Sequence, residues 1–185
     1  MQERIRKIIE VAVFIAVLFF VSCCIIKPPL ELGDIGSYIS YAITLTTFLF
    51  IVYERFLWRF IPWNRPPVLQ RTYNGQIQYI YKRKPGNKTI IIEVKQTWLT
   101  IEINTKTDIN ASYTVVGNIV SEYGSDVLYY TYITNPDALE QKKNPIQYGT
   151  CRMVLNEENK RITGKYWTTS QTMGEIYWEA SSDNE

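Results

Sequence analysis

The chain has 185 residues, 20 Lys and Arg against 18 Asp and Glu, three cysteines and no histidine. That length excludes two large globular domains and leaves room for one domain of ordinary size beside a smaller segment. The missing histidine removes the commonest general base and the commonest zinc ligand. The cysteines, Cys23 and Cys24 together and Cys151 alone, form neither a disulfide framework nor a metal-ligand spacing.

The composition is split. Residues 1–65 are mostly apolar and carry seven Lys/Arg against five Asp/Glu, whereas residues 66–185 carry thirteen of each. The positive excess therefore lies entirely in the apolar part. The second part has no basic surplus with which to hold long nucleic acid.

In chain order, the first element is a membrane span over about 8–26. Val11–Ile26 is an uncharged run of 16 residues, extended by Ile8 and Ile9. A helix needs about 20 residues at 1.5 Å each to cross a bilayer. The second span is expected over 35–60, built on the uncharged 19-residue run Ile35–Tyr53. The polar, helix-breaking segment Lys27–Asp34 separates the two. Arg4, Arg6 and Lys7 precede the first span, and Arg55, Arg59 and Arg65 follow the second. That flanking charge places both termini in the cytoplasm. Trp58, Phe60 and Trp63 are placed to form an interfacial belt, and Pro66-Pro67 a stiff break. The first span also reads as a signal peptide, or as a lipoprotein box at Phe20–Cys23. Both rank below a true span, because a second hydrophobic run follows at once. Ser37, Ser40, Tyr41, Thr44 and Thr47 fall on one face of the second span. They serve transmembrane helix packing or line a wet path in an assembly.

From Leu69 onward, strands are expected at 69–82, 88–97, 98–105, 110–121, 127–135, 148–156, 160–168 and 173–180. Pro85-Gly86-Asn87 and Gly124-Ser125-Asp126 supply turn punctuation, and 136–147 is a polar loop. About eight short strands at hairpin spacing predict an antiparallel β-barrel or sandwich. Alternation defines interior rows: Ile90, Ile92, Val94 and Gln96; Leu99, Ile101 and Ile103; Gly149, Cys151, Met153 and Leu155; Ile162, Gly164, Tyr166 and Thr168. Interior polar residues mark a binding site or an internal hydrogen bond, and Gln96, Ser112, Thr114, Tyr130, Tyr132, Tyr166 and Thr168 are candidates. Eleven of fourteen Tyr and three of five Trp follow residue 65. They fill a core or form a stacking platform for planar bases. No catalytic triad, Cys/His pair, P-loop or Gly-rich dinucleotide loop is present, so a binding module fits better than an enzyme. The rival modules are a membrane-tethered barrel for a small apolar ligand, in the manner of a lipocalin, and a filled barrel that binds protein.

Several segments together carry a resemblance. They are the paired spans, Tyr53-Glu54-Arg55-Phe56-Leu57-Trp58-Arg59, Val94-Lys95-Gln96-Thr97-Trp98, Asn135-Pro136, Tyr148-Gly149, Ile162-Thr163-Gly164-Lys165-Tyr166-Trp167-Thr168 and Gly174. In this order the chain resembles the bacterial CBASS effectors with two transmembrane helices and a minimal β-barrel, also called SMODS-associated two-TM β-strand-rich effectors. The resemblance implies a membrane hairpin followed by an eight-stranded antiparallel barrel at 66–185, sitting in the cell inner membrane. It implies an activating ligand rather than a cofactor: a cyclic dinucleotide made by a CD-NTase on phage infection. It further implies self-association and disruption of inner-membrane lipids that kills the infected cell. Trp98, Arg152 and Thr172 join the ligand candidates on this ground. The family places an Arg shortly after the Tyr-x-Thr strand, where this chain has Thr169-Ser170-Gln171-Thr172. That departure leaves Arg152, Lys165 and Arg71 as the expected cations.

Overall fold

The computed structural model describes residues 2–61, 66–81, 84–107, 110–136 and 145–181. The chain divides into two compact units, 1–65 and 66–185.

The first unit is a helical hairpin. Helix α1 is Gln2–Ile26 and α2 is Leu32–Arg55, and each is long and apolar enough to cross a bilayer. The Asp34 carboxylate accepts from the Leu30 and Glu31 amides at 3.0 and 3.4 Å and starts α2. Tyr38 donates its hydroxyl to the Lys27 carbonyl at 3.0 Å and closes the turn. The buried and half-buried residues recur at three- and four-residue spacing, Ile8, Ala12, Ile15 and Phe19 on α1 against Ile35, Tyr38, Ala42 and Leu45 on α2. Ser37, Ser40, Thr44 and Thr47 lie on the other, exposed face of α2. Ser37 and Ser40 hydroxyls donate to the carbonyls of Gly33 and Gly36. Such back-bonding satisfies a hydroxyl where no water reaches. Helix α2 stops at Arg55, short of the expected exit at 60, because Phe56 leaves helical geometry (φ −125°) before the 3-10 turn Leu57–Arg59. Phe60 is exposed, Trp58 is buried, and Trp63 of the expected belt lies outside the described residues.

The second unit is a closed barrel of eight antiparallel strands, each paired with its chain neighbour and β1 with β8. The strands are β1 Thr72–Tyr81, β2 Lys84–Gln96, β3 Ile101–Lys106, β4 Asn110–Glu122, β5 Ser125–Pro136, β6 Gln147–Leu155, β7 Arg161–Thr168 and β8 Met173–Ala180. Alternating burial along each strand turns the apolar rows inward. Ile92, Ile103, Leu128, Met153, Ile162 and Trp178 fill the lumen. The β4–β5 turn is Tyr123 (φ 49°) and Gly124 (φ 82°), both positive as a two-residue primed turn requires.

Three expectations change. Pro85-Gly86-Asn87 is not a turn but the start of β2. The β3 partner begins only opposite Ile91, so this stretch pairs on the β1 side alone and Pro85 removes no ladder bond on the other. Leu99 is exposed in a tight β2–β3 turn, where Thr97 bonds Thr100 through backbone and hydroxyl. Residues 69–71 are not strand; they belong to a segment that plugs one end of the barrel.

That plug is stitched by side chains. The Gln96 amide accepts from the Leu69 N–H at 2.9 Å and donates to the Pro67 carbonyl at 2.8 Å. Asn159 donates to the Val68 carbonyl at 3.0 Å. The Tyr73 hydroxyl accepts from the Gln70 amide and donates to the Asn159 carbonyl, each at 2.8 Å. Gln96→Leu keeps the volume and strands a buried N–H and a carbonyl, so it is expected to cost about 2–4 kcal/mol. Thermal unfolding of the purified chain checks this, and an unchanged midpoint would show that the plug is held by packing alone.

Candidate ligand-binding site

At the end away from the plug, a cavity of about 330 Å³ runs into the lumen among the described strand ends, from Tyr81 and Lys88 to Asn110, Thr134, Gln147 and Thr168. Apolar side chains of Ile77, Ile90 and Ile176 line its wall, and the rings of Tyr79, Tyr130, Tyr132 and Tyr166 project into it. Two of these rings rest on cross-strand glycines, Tyr79 opposite Gly86 and Tyr132 opposite Gly149. A Cβ at either glycine would fall inside the tyrosine ring, so only glycine lets the ring lie flat across the neighbouring strand. Tyr130 continues the aromatic packing inward: its centroid is 5.8 Å from Tyr132 and 6.0 Å from Trp178, which is 5.7 Å from Tyr73.

Around the mouth stands a collar of short hydroxyl side chains. Ser112 and Thr134 share a hydrogen bond at 3.1 Å across β4 and β5. The Thr168 hydroxyl accepts from the Thr172 amide at 3.3 Å and shapes the β7–β8 turn. Burial pushes the phenols of Tyr130, Tyr132 and Tyr166 up from their ordinary value, with the neighbouring Cys151 thiol adding to each. They stay neutral donors at physiological pH and bring no negative charge against an anionic ligand. The Lys88 ammonium lies 5.7 Å from the Tyr79 ring centroid at the cavity wall. It is the only formally charged side chain among the described lining residues.

A receptor for a small aromatic anion needs this combination of stacking faces, neutral donors and one cation. Residues 65–180 match the family described as Cap15, cyclic dinucleotide receptor domain. The chain belongs to the Cap15 family of CBASS effectors. CD-NTase-associated protein 15 of Staphylococcus schleiferi is 37% identical to it over 180 residues, 95% of this chain and 97% of that protein.

Among the residues singled out from the Cap15-like sequence, Ser112, Tyr130, Tyr132, Tyr166, Thr168 and Thr172 converge on the cavity. Four do not. Gln96 and Trp98 lie at the plugged end, where Gln96 holds the entering segment and Trp98 sits buried in the β2–β3 turn. Thr114 mends a weak seam. Only three residue pairs join β3 to β4, and beyond them the Thr114 hydroxyl both accepts from the Ile103 N–H and donates to its carbonyl, each at 2.9 Å, beside the β4 bulge. Arg152 points outward, because Cys151 and Met153 on either side point in. It donates to Glu122 and to the Tyr129 hydroxyl at 2.8 Å on the outer wall. Lys165 is likewise outward, between Arg152 and Glu175 in register, and Arg71 is exposed at the plugged end. Sequence reasoning missed Lys88, Tyr79 and Asn110. One further step back along the row Gln96, Val94, Ile92, Ile90 reaches Lys88.

Proposed function

We propose that a cyclic dinucleotide occupies the barrel cavity, that occupancy drives the protein to assemble with copies of itself, and that the assembled hairpins breach the inner membrane and kill the infected cell. The observation that carries this reading is the cavity: stacking faces, a hydroxyl collar and, among the described residues, one ammonium, at one end of a barrel of the Cap15 receptor family. Two flat bases and two phosphates are met by rings, donors and a cation without a basic surface. The convergence of Tyr, Thr and Ser on one mouth disfavours the lipocalin-like alternative, whose lumen would be lined by continuous apolar rows. No chemical step is required of the barrel and no cofactor enters, so the protein acts as a sensor and not an enzyme.

The helices support the second half of the reading. About 22–24 residues at 1.5 Å each cross a hydrocarbon core of roughly 30 Å. Basic residues at both outer flanks support a cytoplasmic side for the termini, and with them for the barrel. The exposed hydroxyl face of α2, with Ser37, Ser40, Thr44 and Thr47, is available to other copies of the hairpin. A ligand moves this equilibrium only by its differential affinity for the assembled state.

Co-expression in bacteria with a cyclic dinucleotide synthase tests the whole chain of events. Growth arrest with uptake of a membrane-impermeant dye is expected with the intact protein. Both are expected to vanish in Tyr132→Ala, which removes a stacking face worth about 1–3 kcal/mol per base. Arrest that persists after deletion of both helices would contradict the membrane step.

A further inference from the structure

The cavity has two chemically distinct poles. On the β1–β2 wall, Lys88 sits in register with Ile77, its ammonium over the Tyr79 ring. Among the described residues no carboxylate lines the cavity to neutralise it. An ammonium at an apolar and aromatic wall without a counter-ion is arranged to meet an anion.

The second pole is Asn110, the first residue of β4. Its backbone is fully used by the β3–β4 turn. The amide donates to the Thr107 hydroxyl at 3.0 Å, and the carbonyl accepts from the Thr107 N–H at 2.9 Å and from its hydroxyl at 3.1 Å. The side-chain carbonyl is not used. Asn110 Oδ1 is buried and has no hydrogen-bond partner, and the residue lines the cavity. Buried acceptors are almost always satisfied, so an unmet one on a cavity-lining residue suits a donor that arrives with the ligand, which a turn of the Asn110 side chain would bring within reach. Lys88 lies on β2 beyond its last pair with β3, and Asn110 opens β4, so the two stand on different strands of the cavity wall.

We infer that Lys88 and Asn110 divide recognition of the cyclic dinucleotide, Lys88 taking a phosphodiester and Asn110 Oδ1 accepting an N–H from a base edge. This assignment rests on the cavity being the cyclic dinucleotide site. It makes Lys88 an affinity residue indifferent to base and Asn110 a specificity-determining residue indifferent to ligand charge.

The test is calorimetric titration of the full chain in detergent micelles. The probes are the four symmetric 3′,3′-cyclic dinucleotides of adenine, guanine, cytosine and uracil, each at low and at physiological salt. Lys88→Met is expected to weaken every ligand the wild type binds by a similar factor, about tenfold, and to flatten the salt dependence. Lys88→Arg, which keeps the charge, should restore both. Asn110→Leu is expected to compress the preference among the four ligands by about tenfold. It should do so without lowering the melting temperature of the ligand-free protein, because it replaces an unsatisfied buried acceptor by an apolar side chain. A merely structural asparagine would give the opposite pattern, lower stability with the ranking kept. If the wild type binds none of the four, nor any mixed cyclic dinucleotide of the same bases, the site reading itself fails. If the wild type binds and Lys88→Met and Asn110→Leu keep its affinities and ranking, the division of roles is overturned while the site reading stands.

Discussion

Raising the pH from about 9 to about 11 is expected to unfold the barrel, with ionisation of its buried tyrosines appearing only as the fold is lost. Burial pushes Tyr73 up from 10.0 to about 12 and Cys151 up from 9.0 to about 12. Tyr130, Tyr132 and Tyr166 are raised in the same direction by the same cause, as they crowd the lumen around Cys151. An acid whose folded pKa is raised keeps its proton in the folded state at a pH where the unfolded chain has lost it. The unfolded state then binds fewer protons, and stability falls as pH rises. The stabilisation is intact below the unfolded values of 9.0 for the thiol and 10.0 for the phenols. Above them each group removes about 1.4 kcal/mol per pH unit until its folded pKa is reached. Several such groups acting together approach the 5–15 kcal/mol that holds a typical domain, roughly speaking, by about pH 11. Circular dichroism and phenolate absorbance, followed together, report the two events. Phenolate absorbance developing fully near pH 10 with the barrel spectrum unchanged would contradict the buried, neutral tyrosine cluster.

Gly164→Ala is expected to cost the barrel about 3 kcal/mol, lowering the melting temperature of the purified chain by roughly 10 °C. Gly164 faces inward on β7, opposite Met153 on β6. A Cβ there would run into the Arg152 carbonyl oxygen and stand 2.7 Å from both the Met153 Cα and Sδ. Backbone cannot swing aside as a side chain does, so β6 and β7 must separate and the lumen repack. The contrast is Gly33→Ala or Gly36→Ala in α2, where a Cβ meets nothing within 4 Å. Either is expected to be neutral or to stabilise the helix by up to about 1 kcal/mol. Equal midpoints for Gly164→Ala and Gly36→Ala would mean that β6 and β7 are not in close approach.

Much of the architecture was legible before any coordinates, because two periodicities are written plainly in the chain. Uninterrupted apolar runs at Val11–Ile26 and Ile35–Tyr53 mark helices for a bilayer, and two-residue alternation marks the barrel rows. The site was legible only in part. Tyr130, Tyr132, Tyr166, Thr168 and Ser112 lie on inward positions near the mouth, and alternation finds inward positions. Alternation does not say which end of the barrel is open. Gln96 is inward too, yet it is spent on Pro67 and Leu69, because the chain itself fills that end. Arg152 was chosen for its charge against the parity of its own strand, since Cys151 and Met153 beside it already occupy the interior. Lys88 opened the expected strand 88–97 and has the parity of its inward row, but that row was read only from Ile90 to Gln96, because a charged residue at a strand end does not look interior. Asn110 carries no pattern signal at all. Its backbone N–H donates to the Thr107 hydroxyl, so the turn is held without the Asn110 side chain, a local hydrogen-bond choice that composition cannot reveal.

Arg152 also shows why charge alone is a poor guide on a small barrel. Its hydrogen bonds to Glu122 and Tyr129 hold the Glu122 carboxyl below the usual range, and the pair is half-buried on the outer wall, still in reach of solvent. Such a pair contributes little to stability and is screened by salt. Lys88, the one cation among the described lining residues, is less conspicuous in the sequence and better placed, because its described neighbours are rings and hydroxyls rather than a carboxylate.

The account depends most on the claim that the cavity is a trigger. Sedimentation of the detergent-solubilised chain, with and without cyclic dinucleotides, measures this directly. A saturable shift to a larger assembly is expected with at least one cyclic dinucleotide, and no shift with the same ligand in Tyr132→Ala. An assembly size that stays constant across every cyclic dinucleotide, or that shifts equally in Tyr132→Ala, would contradict it.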